Sequence, residues 1–195
     1  MNQQMFILIG RSGCGKGTQG KLIEEYLRKN DPSREVFYLQ TGAEIREFIK
    51  GPKLTQRLSK AIYDRGGLQP EFLATHTWSH LLSMNFKENQ HLIIDGTPRK
   101  FHEAGVLHSI LGFYGLKKPH VIYLNVSADW AVEHLMKRKR FDDTIEDIKA
   151  RLTLFETDVM PAIEFYRTHP DYRFMEINGE RSIEEIHADI LKKLS

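Results

Sequence analysis

Gly10, Gly13 and Gly15, followed at once by Lys16, Gly17 and Thr18, are the residues whose types and spacing best suit chemistry. Glycines so placed let a backbone curl until several N–H groups point inward, which makes a concavity for oxyanions. A lysine at its rim reaches the outer phosphates of a polyphosphate, and Gly10 to Lys16 fits G-x-x-x-x-G-K. The apolar run Met5-Phe6-Ile7-Leu8-Ile9 precedes the loop. A helical pattern follows it, with Leu22, Ile23, Tyr26 and Leu27 on one face. Strand, glycine turn and helix form the context in which such a loop binds phosphate, because the helix start adds a positive dipole end. Gly13, Cys14, Gly15, Lys16, Gly17 and Thr18 are therefore the candidate triphosphate-binding residues. One position departs from the general motif: Gly17 stands where Ser or Thr is usual, and Thr18 comes one later.

A second set of candidates is charged. Asp95 ends the apolar run His91-Leu92-Ile93-Ile94 and is followed by Gly96-Thr97-Pro98-Arg99. An acid there can orient waters on a Mg²⁺ ion, which keeps several waters in phosphate sites. The plainer alternative is an aspartate that caps a turn or helix. Arg46, Arg99, Arg138, Arg140 and Arg151 complete the set. Each alone reads as a solvated helix-face arginine. Converging with Lys16 on one point, they would repel one another unless a polyanion lay between them.

The elements that position these groups alternate. Apolar runs predict strands over 5–9, 36–39, 91–95, 121–126 and 172–177. Helical spacing predicts helices over 15–29, 43–49, a stretch through Leu54, Leu58, Ala61 and Ile62, and one opened by Pro70-Glu71. Phe72, Leu73, Thr77, His80, Leu81 and Met84 mark the expected buried face of that last helix. Further helices run from the Arg99 loop to about 113 and from 128 into the basic run at 137–140. A long helix from Asp142-Asp143 carries Ile148, Leu152, Phe155 and Val159, with a kink expected at Pro161. A final amphipathic helix holds Ile183, Ile186, Ile190 and Leu194. Continuous apolar strands alternating with helices predict an α/β fold with a doubly wound, five-stranded parallel sheet covered on both faces. Ligands then bind beyond the carboxyl ends of the strands. That edge holds the glycine loop, Asp95, Arg99 and Asn178-Gly179.

The chain's 195 residues suffice for one domain with a sizeable core. A net charge of +2 is too mild to argue for nucleic acid or a membrane surface. A single cysteine excludes an intramolecular disulfide, and Cys14 reads as a small side chain in a tight loop. The amino-terminal apolar run is short, lacks a basic flank and ends in the glycine loop, so the expected compartment is the cytoplasm.

In order and spacing, the glycine loop with Gly17-Thr18-Gln19, Thr41-Gly42-Ala43-Glu44-Ile45-Arg46, Asp95-Gly96-Thr97-Pro98-Arg99, Arg140-Phe141-Asp142-Asp143 and Arg151-Leu152 resemble the adenylate kinase family of nucleoside monophosphate kinases. That family carries Gly and then Thr-Gln after its lysine, so Gly17 becomes a match. The resemblance implies phosphoryl transfer from Mg²⁺-bound ATP to a nucleoside monophosphate, AMP above others, by a monomer. It implies an acceptor-binding insertion over 41–74 and a lid, here very short, over 137–143. Lys16 matches the lysine on the donor phosphates. Asp95, through water, and Thr18 match the metal-holding groups. Arg46 and Arg99 match the arginines on the acceptor phosphate. Arg138, Arg140 and Arg151 match those that close on the transferring group. Thr41, Gly42, Gln69 and Glu103, with Arg140 and Arg151, fall on the acceptor side. His134 stands where the family often stacks an arginine on the donor adenine, and Gly179 lies in the loop that meets that base.

Departures gather at the acceptor. The family usually has Asp at Ala43, an aromatic at Thr97, Val at Gln69 and Gln at Glu103. An ionised Glu only accepts hydrogen bonds, so it suits the two donors of guanine better than the donor and acceptor of adenine. Gln69 could supply the missing donor, or Glu103 could turn away from the base. Two other readings accompany the first: a nucleotide-binding protein with little kinase activity, and a P-loop kinase for GMP or a non-nucleotide metabolite.

Overall fold

A computed structural model describes residues 2–138 and 144–194, with the side chain of Arg138 left out. Five strands form one parallel sheet in the order β2-β3-β1-β4-β5: β1 Met5–Gly10, β2 Val36–Gln40, β3 His91–Asp95, β4 His120–Asn125 and β5 Arg173–Asn178. β1 is central, with Leu8 beside Asp95 on β3 and Gly10 beside Leu124 on β4. The order reverses at β1, so the crevice between β1 and β3 is where a ligand site is expected.

The sheet is buried on both faces, and alternation along β1 divides the core. Met5, Ile7 and Ile9 pack with Trp78, Leu82, Leu107, Phe155 and Ile163. Those partners lie on α4 (Glu71–Asn85), on α5 (Phe101–Phe113), and on the stretch leading from α7 (Ile145–Leu154) into α8 (Met160–Thr168). Phe6 and Leu8 pack on the other face with Ile23, Leu27, Ala131, Ile186 and Ile190. These come from α1 (Lys16–Asn30), α6 (Ala128–Arg138) and α9 (Ile183–Leu194). This is the doubly wound arrangement expected from the sequence. Residues 41–74 hold α2 (Thr41–Phe48), α3 (Leu54–Tyr63) and the start of α4. Among the described residues, no helix is long and apolar enough to cross a membrane.

Two expectations need correction. On α4 the buried residues are Leu73, Trp78 and Leu82, whereas Phe72 and Met84 are 70% and 68% exposed. The indole of Trp78 buries more apolar surface than either and turns the helix to suit itself. The long helix is also interrupted: α7 begins at Ile145 with Thr144 as its cap, and Phe155–Val159 is a π-helical turn. Met160 N–H there donates to Phe155 C=O, five residues back. Pro161, near the start of α8, has no N–H for a regular ladder, and the widened turn takes up the mismatch. Arg140 and Asp142-Asp143, with all but 137–138 of the expected lid, lie outside the described residues.

Candidate active site

The carboxyl ends of β1, β2 and β3 open into one cleft of about 900 Å³. It is lined by the 12–18 loop, Thr41, Gly42, Arg46, Gln69, Asp95, Arg99, Glu103, His134 and Arg151. Sequence reasoning placed all of these at the site. Gly179 is the exception. Its N–H donates to Asn125 C=O at 2.9 Å, and a Cβ there would stand 2.7 Å from Val126, so it packs behind the loop.

The loop is shaped by glycine where only glycine fits. Gly13 has φ +88°, and a Cβ would meet Leu135 at 2.8 Å and Ala131 C=O at 3.0 Å. Lys16 folds back over the loop, donating from Nζ to Gly10 C=O at 2.8 Å and Arg11 C=O at 2.9 Å. A cation is thus held inside the curl of the backbone. Asp95 lies beside it: the position a Cβ of Gly17 would take is 3.6 Å from Asp95 Oδ2. Tyr38 donates to the same oxygen at 3.4 Å. Burial, then the charge of Asp95, raises the pKa of the Tyr38 phenol, so it stays a donor. Gly20 makes room for that phenol, since a Cβ there would fall 2.0 Å from its oxygen.

The arginines come from three elements. Arg99 follows the Gly96 turn, its Nε donating to Gly96 C=O at 3.0 Å, and opens onto the cleft. The protein around the guanidinium lowers its pKa below the ordinary arginine value. Glu103 and Asp95 oppose the shift and Arg151 adds to it. Arg99 and Arg151 therefore stand near enough to repel. Arg151 donates from Nη1 to Ser12 at 3.4 Å, tying α7 to the glycine loop. Arg46 crosses Gly42, whose Cβ would lie 3.4 Å from its Nη1. Such a group of cations beside a lysine is complementary to phosphate. Of Arg138 only the backbone is described, and Arg140 lies outside the described residues.

Glu103 and Gln69 are both engaged. Glu103 is buried and accepts the Arg99 N–H at 2.8 Å, a carboxylate at the start of α5. Burial raises its pKa, partly countered by that bond and the nearby Arg99 charge. The Gln69 amide accepts from Ser59 Oγ at 2.8 Å and donates to Ser59 C=O at 3.1 Å. These bonds brace α3 against the acceptor side of the cleft.

Several residues in or beside the cleft escaped the sequence reading. Trp130 stacks on His134 at 3.4 Å between ring centroids, with an interplanar angle of 15°. Their i, i+4 spacing on α6 was the available signal. Arg11, inside the loop, lies over the Phe155 ring at 4.2 Å and pairs with Glu156. That pair spans 145 residues, and nothing local marks it. Arg181 also lines the cleft, held by Asp189 at 2.7 Å.

A glycine loop alone fits many enzymes, whereas the loop with an acid on the neighbouring strand and arginines from three elements is more restrictive. The family model for "Adenylate kinase" matches residues 8–170. The chain is 30% identical to adenylate kinase 1 of Nostoc sp. over 184 residues, covering 94% of this chain and 95% of the relative. It is 30% identical to the adenylate kinase of Phocaeicola vulgatus, covering 95% of each chain. It is also 30% identical to that of Corynebacterium aurimucosum, covering 97% and 98%. On its fold, its cleft and these matches, the chain belongs to the adenylate kinase family.

Proposed function

We propose that this protein is a Mg²⁺-dependent enzyme that passes the γ-phosphoryl group of ATP to AMP. As a family member it is a phosphotransferase that uses ATP to phosphorylate a nucleoside monophosphate. The choice of AMP follows the names of its relatives. The observation that carries the reading is one cleft shared by Lys16, Asp95, Arg46, Arg99 and Arg151.

Phosphoryl transfer asks for alignment and charge stabilisation more than for covalent chemistry. The backbone N–H groups of 13–18 and Lys16 hold the β- and γ-phosphates. Arg46 and Arg99 hold the acceptor phosphate, itself the nucleophile, so no general base is needed. Arg151, anchored to Ser12, and Arg138 and Arg140 stabilise the charge on the transferring group. Trp130 and His134 offer a ring surface for the donor base. Asp95 and Thr18 are hard oxygen donors beside the phosphate loop, which fits Mg²⁺ held partly through water. An ion held there would supply neutralisation of phosphate charge. Residues 41–74 serve as the acceptor-binding insertion and 137–143 as a short lid.

The base contact turns on Glu103. Its pKa is raised, so a protonated carboxyl is more accessible than in an ordinary glutamate. A protonated carboxyl can donate to adenine N1, whereas the ionised form can only accept. The preference for AMP over GMP is therefore expected to fall as pH rises through the raised pKa. Glu103→Gln should keep AMP and lose that pH dependence. Stability follows the same sign. A raised native pKa gives a contribution complete below the unfolded value of about 4.3 and lost as pH rises through the native value. The melting temperature of Glu103→Gln relative to wild type should therefore climb with pH. Steady-state kcat/KM for AMP and GMP across pH, on both proteins, tests this. An unchanged acceptor ratio at every pH would leave Glu103 as a cap of α5 alone.

A further inference from the structure

Far from the cleft, three side chains of metal-ligating type converge. His108 lies on α5, His169 at the end of α8, and Asp171 in the turn that enters β5. One ligand atom from each lies within 4.8 Å of the other two. The imidazole rings of His108 and His169 are 4.7 Å apart, inclined at 53°. His169 Nδ1 is 3.9 Å from Asp171 Oδ2. The three belong to the segments that feed the amino-terminal ends of β4 and β5, whereas the phosphate loop lies at the carboxyl ends.

Packing accounts for part of this. Phe165 and Tyr172 flank both imidazoles. Packing gives no reason for a carboxylate to turn toward two imidazoles on a rim that water reaches. The side chains of His169 and Asp171 are 26% and 65% exposed. His108 is further oriented by its Nδ1, 3.0 Å from the Tyr172 hydroxyl. A ligating histidine is commonly fixed in this way, its second nitrogen held by an oxygen so that the first points at the ion.

We propose that His108, His169 and Asp171 form a zinc site. Two imidazoles and one carboxylate suit Zn²⁺, while Mg²⁺ and Ca²⁺ favour all-oxygen sets. Zn–N and Zn–O bonds of about 2.0–2.2 Å in a tetrahedron put ligand atoms about 3.3 Å apart. The present spacing must therefore close by about 1.5 Å at most, within reach of side-chain rotation at Asp171 and His169. The Asp171 N–H, which donates to His169 Nδ1 at 3.3 Å, is a weak bond to exchange for a metal bond if that nitrogen is the ligand. Water fills the fourth position. The ion would clamp α5 to the junction of α8 and β5. It would act on stability and take no part in phosphoryl transfer.

The test is calorimetric titration of the untagged, EDTA-treated protein with Zn²⁺ alone, paired with thermal melts. One Zn²⁺ per chain is expected, with a melting temperature that rises with zinc and returns on chelation. His169→Gln and Asp171→Asn should each weaken binding by about tenfold or more, and Tyr172→Phe by about tenfold through loss of orientation. Asp171 is exposed, so its variant keeps the test clear of folding defects. His76→Gln is the control, since His76 stacks on His80 at 5.7 Å on α4 and forms another pair of imidazoles. Absence of saturable 1:1 binding would overturn the proposal. So would an affinity indifferent to His169 and Asp171, or one lost with His76.

Discussion

Lys16→Ala is expected to lower kcat by about a thousandfold while the protein stays folded. The lysine lies inside the phosphate loop, with Nζ on the carbonyls of Gly10 and Arg11. Those bonds are part-buried, so losing them costs about 1 kcal/mol each at most once water replaces the ammonium. The catalytic loss is larger because the ammonium, fixed inside the loop, faces charge that develops on the transferring group. Lys16→Met, which keeps most of the stem, should be almost as slow, separating charge from packing. A coupled assay of ADP release with a circular-dichroism melt checks both halves. Near-normal turnover by Lys16→Ala would mean that the donor phosphates do not sit in this loop.

Arg99→Ala should cost about a thousandfold in kcat/KM, because the acceptor phosphate that it holds is the nucleophile and must be aligned with the transferring group. Its effect on folding should be slight. Burial, and then the charge of Arg151, disfavours the guanidinium there, and Glu103 and Asp95 offset this only in part, so its removal takes away a group that the fold does not favour without a ligand. With an acceptor phosphate present, the balance changes and the planar guanidinium gains two parallel hydrogen bonds. Arg99→Lys keeps the charge but not the fork, and should recover only part of the loss. Full recovery by lysine would show that Arg99 acts by charge alone, and normal kinetics in Arg99→Ala would remove it from the site.

What could be read from the sequence follows from how local each signal is. The phosphate loop is a run of adjacent residues between a strand and a helix, and its glycine spacing carries the geometry. Asp95 could be placed beside it because apolar, unalternating strands joined by helices imply a parallel sheet. In that sheet Leu8 and Asp95 are indeed partners. What escaped depends on contacts distant in sequence or on competition among apolar residues. The Arg11–Glu156 pair joins the loop to a π-helical turn. Trp78 displaced Phe72 and Met84 from the buried face of α4. Glu103 and Gln69 were picked out by type as readers of the base. The backbone N–H of Arg99 and the hydroxyl of Ser59 engage them as well, and no periodicity marks those partners. Gly179 was placed by motif, and its N–H bond to Asn125 is a contact that no local pattern marks.

The central claim is transfer between ATP and AMP in the cleft of Lys16, Asp95 and Arg99. The most direct measurement is ADP or other diphosphate formed from ATP and Mg²⁺ with AMP, GMP, CMP, UMP and dTMP offered singly. Turnover with AMP is expected well above that with the others, and it is lost on chelation of the metal. Tight ATP binding without turnover on any monophosphate, or a clear preference for another base, would contradict it.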